Sequence, residues 1–440
     1  TTMTDPAECG PVTLALCQDV QAEAYDWPES FFATKVWRQR RVRPDVAELS
    51  DVAALLRGAS SPVIVAGGGV HYSDATEALR AFAEAHQIPV VETQAGKSAL
   101  PWDHPLNFGP IGVTGAQSAN AICGAADVVL GVGTRFQDFT TGSWSLFKHP
   151  DRKLISLNVA AYDAAKRGAV PLLSDARTGL EELTAALGGH KAPGPDAGLK
   201  ADWFAAVDPL TDAPEDGNPL PTDMQVVGAV QRAAGPDTVV MCAAGTMPGV
   251  LHKLWKATRP MSYHMEYGFS CMGYEIAGAM GIKMAEPDRD VVCMIGDGSY
   301  MMMNSEMATA AMMGISFTVV LTDNRGFGCI NRLQMATGGA EFNNLLDHAV
   351  HTNPSKIDFA AHAASMGATA VKVATIAELE AALAGARDVQ GPYVVVIDTD
   401  PYPSTPHGGS WWEVGVPEVS VRPSVNEARA VYEAKLKERT

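Results

Sequence analysis

Two doubly wound parallel-sheet domains of the α/β class, preceded by the stump of a third, are the architecture this 440-residue sequence predicts. Three observations lead there. Short, continuously apolar, β-branched-rich runs such as Val63–Ala66, Val128–Val132, Val291–Ile295 and Phe317–Leu321 read as strands covered on both faces. Helix-length segments alternate with them, as crossovers between parallel strands require. A stretch rich in Gly, Pro, Ala and Asp, residues 191–221, divides the alternation into two blocks and reads as a linker.

Composition narrows the class. The chain is 47% hydrophobic and 19% charged, as soluble globular proteins are. No apolar run reaches membrane-spanning length, and no basic segment followed by an apolar one opens the sequence as a signal peptide would. A net charge of −17 without a basic stripe argues against nucleic acid as a partner. The 7 cysteines stand singly, with no CxxC pair. That fits reduced thiols of a cytoplasmic protein, not disulfides or zinc.

In chain order, residues 1–32 do not begin like a domain. Val12–Leu16 reads as a lone strand followed by an extended segment to Pro28. One strand cannot bury itself. It is either an arm that docks on the rest or, as we favour, the end of another domain. Lys35–Arg43 reads as an exposed basic linker. Residues 36–190 then form a Rossmann-like middle domain: a helix over Pro44–Leu56, strand Val63–Ala66, helix Asp74–His86, strand Pro89–Glu92, helix Ala116–Cys123, strands Val128–Val132 and Leu154–Leu157, and helix Asp175–Leu187. Gly67–Gly69 ends the first strand, but the spacing is not GxGxxG, and structural support is the expected role.

Residues 222–400 form the second domain. Thr222 is placed to N-cap a helix over Asp223–Ala234. Strand Thr238–Cys242 ends in Gly245, Thr246 and Met247, where backbone N–H groups and a hydroxyl could meet phosphate. A loop holding Ser270 and Met272 precedes a small-residue helix, Tyr274–Ala285, in which Gly278 and Gly281 suggest close packing. Then come strand Val291–Ile295, the turn Gly296–Asp297–Gly298, a crossover helix Tyr300–Met313, strand Phe317–Leu321 and the pair Asp323–Asn324. A right-handed crossover puts both strand ends on one sheet edge. Asp297 and Asn324, 27 residues apart, therefore share the edge where such sheets hold ligands. A carboxylate and an amide oxygen suit a hard cation such as Mg²⁺, which completes its shell with water and phosphate oxygens. The N–H groups of Gly298, Ser299 and Tyr300 open a helix and suit phosphate. Residues 329–344 read as a polar, glycine-bearing, mobile flank of the site. Helix Asp358–Met366, strand Ala370–Val373, helix Ile376–Ala386 and strand Tyr393–Ile397 complete the domain. The extension, 401–440, carries a helix Val425–Lys437 and is expected to dock back through Trp411 and Trp412.

With these residues in hand, the chain resembles the thiamine diphosphate (ThDP) enzymes of the acetolactate synthase/decarboxylase superfamily. The signature is GDG followed by an Asn-containing pair, here Gly296–Asp297–Gly298 and Asp323–Asn324. The segments GPIGVTGAQSAN, YHMEYGFSCMGYEIAGAMG, DNRGFGCINRLQ and GGSWWEVGVPEVS carry a closer likeness to superfamily hydrolases that open a cyclic 1,2-dione in myo-inositol catabolism. The resemblance implies Mg²⁺ on Asp297, Asn324 and the Gly326 carbonyl. It implies diphosphate on Gly245, Thr246, Gly298 and Ser299, Met272 wedged between the cofactor rings, and the Ser270 carbonyl on the aminopyrimidine. His264, Glu266 and Tyr267, just before the Met272 loop, are the candidates for proton transfer. The resemblance also implies a homodimer or homotetramer with the cofactor at a subunit interface. The family's activating glutamate would lie upstream of Thr1, and Glu8 and Glu23 come too late to replace it. An inactive cofactor-binding fragment is thus one expectation for these residues alone. A ligase of two 2-keto acids, with FAD in the middle domain, is the other alternative.

Overall fold

The protein is described here by a computed structural model covering residues 2–214, 220–266 and 268–438. Two six-stranded sheets organise it, and every strand pairing in both is parallel.

The middle sheet holds β1 (Pro62–Ala66), β2 (Val90–Glu92), β3 (Asn107–Pro110), β4 (Val128–Val132), β5 (Lys153–Asn158) and β6 (Val170–Leu173), in the order β3-β2-β1-β4-β5-β6. Strands β1 and β4 are buried at every position, which is why they appear in the sequence as unbroken apolar runs. The second sheet holds β7 (Val239–Cys242), β8 (Tyr263–Met265), β9 (Val291–Gly296), β10 (Thr318–Asp323), β11 (Thr369–Val373) and β12 (Tyr393–Asp398), ordered β11-β12-β10-β9-β7-β8. In each sheet the chain first steps outward and then returns to the other side of its first strand. The turning points lie between β1 and β4 and between β7 and β9.

Helix starts follow their caps. Asp45 and Asp175 each accept two N–H groups of the helices they begin, and Thr222 with Gln225 forms a reciprocal capping box. One apolar core runs from Val63 and Phe108 in the middle domain to Val240 and Leu251 in the second. Buried hydrogen bonds cross the same boundary: Tyr263 Oη donates to Gln94 Oε1 at 2.6 Å, and Gln94 Nε2 donates to the Pro248 carbonyl at 3.1 Å. The C-terminal extension docks as expected. Trp412 Nε1 donates to Asp138 at 3.1 Å, and Trp411 exchanges bonds with Ser145.

Several expectations are corrected. Val12–Leu16 forms no strand and is exposed, because among the described residues no strand edge pairs with it. The basic run 35–43 is exposed apart from Arg41 and Val42, but its end is tied to the domain: Arg41 bonds Asp74 and Asp175, and the exposed Arg43 bonds Glu182. The stretch 191–221 holds a helix, Gly198–Val207, whose Trp203 and Val207 are buried in the shared core; residues 215–219 of that stretch lie outside the described set. The crossover helix is two helices, Asp297–Met302 and Glu306–Met313, and Asn304 Nδ2 takes the Tyr300 carbonyl at the break. Residues expected as a mobile flank form a helix, Gly328–Ala336. Gly278 does pack closely, since a Cβ there would meet the Met241 methyl group, but Gly281 faces open space. The strands not foreseen, β3, β6 and β8, all lie on sheet edges. Edge strands are short, and β3 and β6 contain proline, which a central ladder excludes.

Candidate functional site

The two turning points look alike in sequence, each with glycines at strand ends, yet they differ in space. At the middle sheet the crevice is closed. Gly69 lies so near Gly133 that a Cβ on it would meet the Gly133 Cα at 2.6 Å, and Gly67 abuts the Gly133 carbonyl. These glycines serve backbone-to-backbone packing. At the second sheet, Gly245 and Gly296 face open space. Gly245 also has φ +79°, a conformation that glycine adopts without strain.

Strand register assembles the site. Thr322 of β10 pairs with Gly296 of β9, so the residues that follow, Asp297 and Asp323–Asn324, emerge together at the carboxyl edge. Asp297 and Asn324 are buried, and Asp297 Oδ1 and Asn324 Oδ1 both lack a hydrogen-bond partner. Burial, reinforced by the Asp323 carboxylate, pushes the Asp297 carboxyl up to about 7, against the pull of the Gly298 and Gly326 N–H groups. Two orphaned, buried oxygens beside a raised carboxyl make a seat that a hard cation would satisfy. Gly326, at φ +145°, bridges antiparallel to Leu345 and turns the chain back beside Asp297. Among the described residues no cluster of three His, Cys, Asp or Glu side chains offers another metal site.

Around this seat the described residues are arranged as follows. Thr246 Oγ1 accepts from Arg332 Nη2 at 2.8 Å, and the same guanidinium donates to the Pro401 carbonyl. The Met247 side chain is buried in the shared core, so this residue has only its backbone to offer. Gly298 lies beneath the Phe327 ring: a Cβ would meet Phe327 Cε1 at 2.6 Å. Ser299 Oγ donates to Glu275 Oε1 at 2.7 Å, which leaves its backbone N–H, in the first helical turn, free for an anion. Ser270 sits at φ +54° at the loop apex, and Met272 is partly buried three residues before Glu275.

The proton-transfer candidates are less open than expected. His264 Nε2 bonds the Tyr274 hydroxyl at 3.0 Å, and burial lowers its pKa. Burial alone would raise the Glu266 carboxyl, but the Cys271 and Phe269 N–H groups, at 2.5 and 3.1 Å, hold it below the usual range. Tyr267 lies outside the described residues. Three residues at the site were not foreseen: Glu275, Arg332 and Phe327. Only Glu275 had a signal, as the one acid in a helix that is otherwise mostly apolar.

Comparison with known proteins agrees with this geometry. Residues 49–183 match the thiamine pyrophosphate enzyme central domain, and residues 243–397 match the thiamine pyrophosphate enzyme C-terminal TPP binding domain. The chain belongs to the thiamine pyrophosphate enzyme family. It is 41% identical to the 3D-(3,5/4)-trihydroxycyclohexane-1,2-dione hydrolase of Geobacillus thermodenitrificans, over 97% of this chain and 71% of that protein. It is 39% identical to the enzyme of the same name from Clostridium tetani, over 99% of this chain and 72% of that protein. A Clostridium perfringens hydrolase of that name is 41% identical over 99% of this chain and 73% of its own length. The TPP-binding match covers Gly245, Asp297 and Asn324 together.

Proposed function

We propose that this protein hydrolytically cleaves a ring C–C bond of 3D-(3,5/4)-trihydroxycyclohexane-1,2-dione, releasing an open-chain deoxy-glucuronic acid in myo-inositol catabolism, with ThDP and Mg²⁺. The substrate is taken from the relatives' names. The observation that supports the cofactor pair is the pair of orphaned oxygens, Asp297 Oδ1 and Asn324 Oδ1, at the open turning point.

In this reading Asp297, Asn324 and the Gly326 carbonyl hold Mg²⁺. Gly245, Thr246, Met247, Gly298 and Ser299 hold the diphosphate, chiefly through backbone N–H groups and the Thr246 hydroxyl. Arg332 already occupies one Thr246 lone pair, and this directs the hydroxyl proton away from itself. Met272 supports the bend between the cofactor rings and the Ser270 carbonyl accepts from the aminopyrimidine. When bound, ThDP supplies the electron sink for the cleaved C–C bond. His264, before the Met272 loop, and Tyr274, directly after it, are hydrogen-bonded to each other, and we assign them to orient and protonate the ring-opened substrate.

Self-association with the cofactor near the interface is part of the proposal. Phe269, Met301, Met302 and Met303 are exposed beside the site, and apolar side chains left so suit a second subunit. A reducing compartment fits the cysteines, which form no disulfide among the described residues. No described helix is long and apolar enough to cross a membrane.

The test is turnover by the native enzyme loaded with ThDP and Mg²⁺. The cyclic dione should disappear and an open-chain acid should form, while pyruvate should give no acetolactate. Acetolactate from pyruvate, with the dione untouched, would assign the enzyme to keto-acid ligation instead.

A further inference from the structure

Glu275 lies second in the helix Tyr274–Ala285, where an acid commonly does no more than face the helix dipole from solvent. Here it is 1% exposed. Its Oε2 accepts the Gly273 N–H at 2.8 Å, and its Oε1 accepts the Ser299 hydroxyl at 2.7 Å. The Gly273 N–H is shared with Ser299 Oγ, also at 2.8 Å, which closes a three-way knot. The Ala244 N–H and the residue's own N–H also favour the charged carboxyl, against the burial that raises its pKa. Gly273 belongs to the Met272 loop and Ser299 to the Asp297 turn. One buried side chain thus ties together two segments of the candidate cofactor seat.

We propose that Glu275 is a positioning residue that locks Ser270–Gly273 and Asp297–Ser299 into one frame before any ligand binds. The proposal rests on the cofactor reading of this site. The carboxyl accepts from both the Gly273 N–H and the Ser299 hydroxyl. An alanine removes both bonds, whereas an amide could keep them, because the Ser299 hydroxyl can accept as well as donate. Glu275 itself stays out of reach of a ligand, since Ser299 and Gly273 stand around it. It therefore acts on binding through the segments it holds.

Two measurements on Glu275→Ala test this. The first needs no cofactor: amide hydrogen exchange in the ligand-free protein. Exchange should quicken together in 270–273 and 297–299, by about tenfold or more, while β9 keeps its protection. Faster exchange confined to 270–275 would overturn the frame. The second is ThDP binding with Mg²⁺ by calorimetry, where the dissociation constant should rise about tenfold to hundredfold, with kcat at saturating cofactor nearly kept. Binding unchanged or tightened by the variant, in a protein whose wild type binds ThDP, would also overturn it. A wild type that does not bind ThDP would instead sink the cofactor reading, and the exchange result would still decide the frame. Should Glu275→Ala fold poorly, Ser299→Ala removes one arm alone. It should quicken exchange at 273 and 297–299, and unchanged protection there would refute the knot.

Discussion

Replacing Asp297 by Asn should stabilise the metal-free protein and abolish its stabilisation by cofactor. In the folded chain burial and Asp323 move this carboxyl from 3.8 to about 7. Between those values the folded protein holds a proton that the unfolded chain has released. Stability contributed here is complete below pH 3.8 and is lost as pH rises toward 7. Above pH 7 the loss amounts to about 4 kcal/mol. An Asn side chain does not titrate, so at pH 8 in EDTA the variant should be more stable, by about 2 to 4 kcal/mol once the burial of its own amide is allowed for. The advantage should shrink toward pH 5. Saturating Mg²⁺ and ThDP at a hundred times the dissociation constant should stabilise the wild type by about 2.7 kcal/mol and the variant by almost nothing. Thermal unfolding at pH 5 and 8, with and without the ligands, reads all of this. A variant that is less stable in EDTA at pH 8, or that gains as much from Mg²⁺ and ThDP as the wild type, would refute the reasoning.

Removing Arg332 as Arg332→Ala takes away the donor to Thr246 and to the Pro401 carbonyl; ThDP affinity should fall about tenfold, with Arg332→Lys recovering only part, by titration calorimetry. Gly298→Ala drives a methyl group toward the Phe327 ring. That ring is 40% exposed and can swing aside. Stability should drop by only about 1 kcal/mol in a melt, while ThDP binding weakens about tenfold because the seat loses its shape. Glu266→Gln should lower kcat by less than about tenfold, because the carboxylate is committed to the Cys271 and Phe269 amides; a loss of about a thousandfold would return Glu266 to proton transfer.

What could be read from the sequence follows from where physics leaves a local trace. Central strands such as β1, β4, β9 and β10 are covered on both faces, and burial writes itself as an unbroken apolar run. Edge strands β3, β6 and β8 are covered less completely and carry no such run. Helix starts were legible at Asp45, Asp175 and Thr222 because a cap is a contact within a few residues. Arg332 was not, because its partners, Thr246 and Pro401, lie 86 and 69 residues away.

The glycine turns show the same limit more sharply. Gly67–Gly69 and Gly296–Gly298 each follow a buried strand, and each strand flanks the turning point of its sheet. Sequence alone gives both the means to hold a ligand. Their difference lies in what returns across the crevice. In the middle sheet it is Gly133, whose missing side chain lets two backbones meet and fill the gap. In the second sheet Gly245 and Gly296 face open space, and Asp297 Oδ1 and Asn324 Oδ1, which arrive there, are left without partners. A buried carboxylate oxygen and amide oxygen with nothing to bond destabilise the chain that carries them. Their retention at the one open turning point, rather than at the closed one, is explained if a ligand completes them.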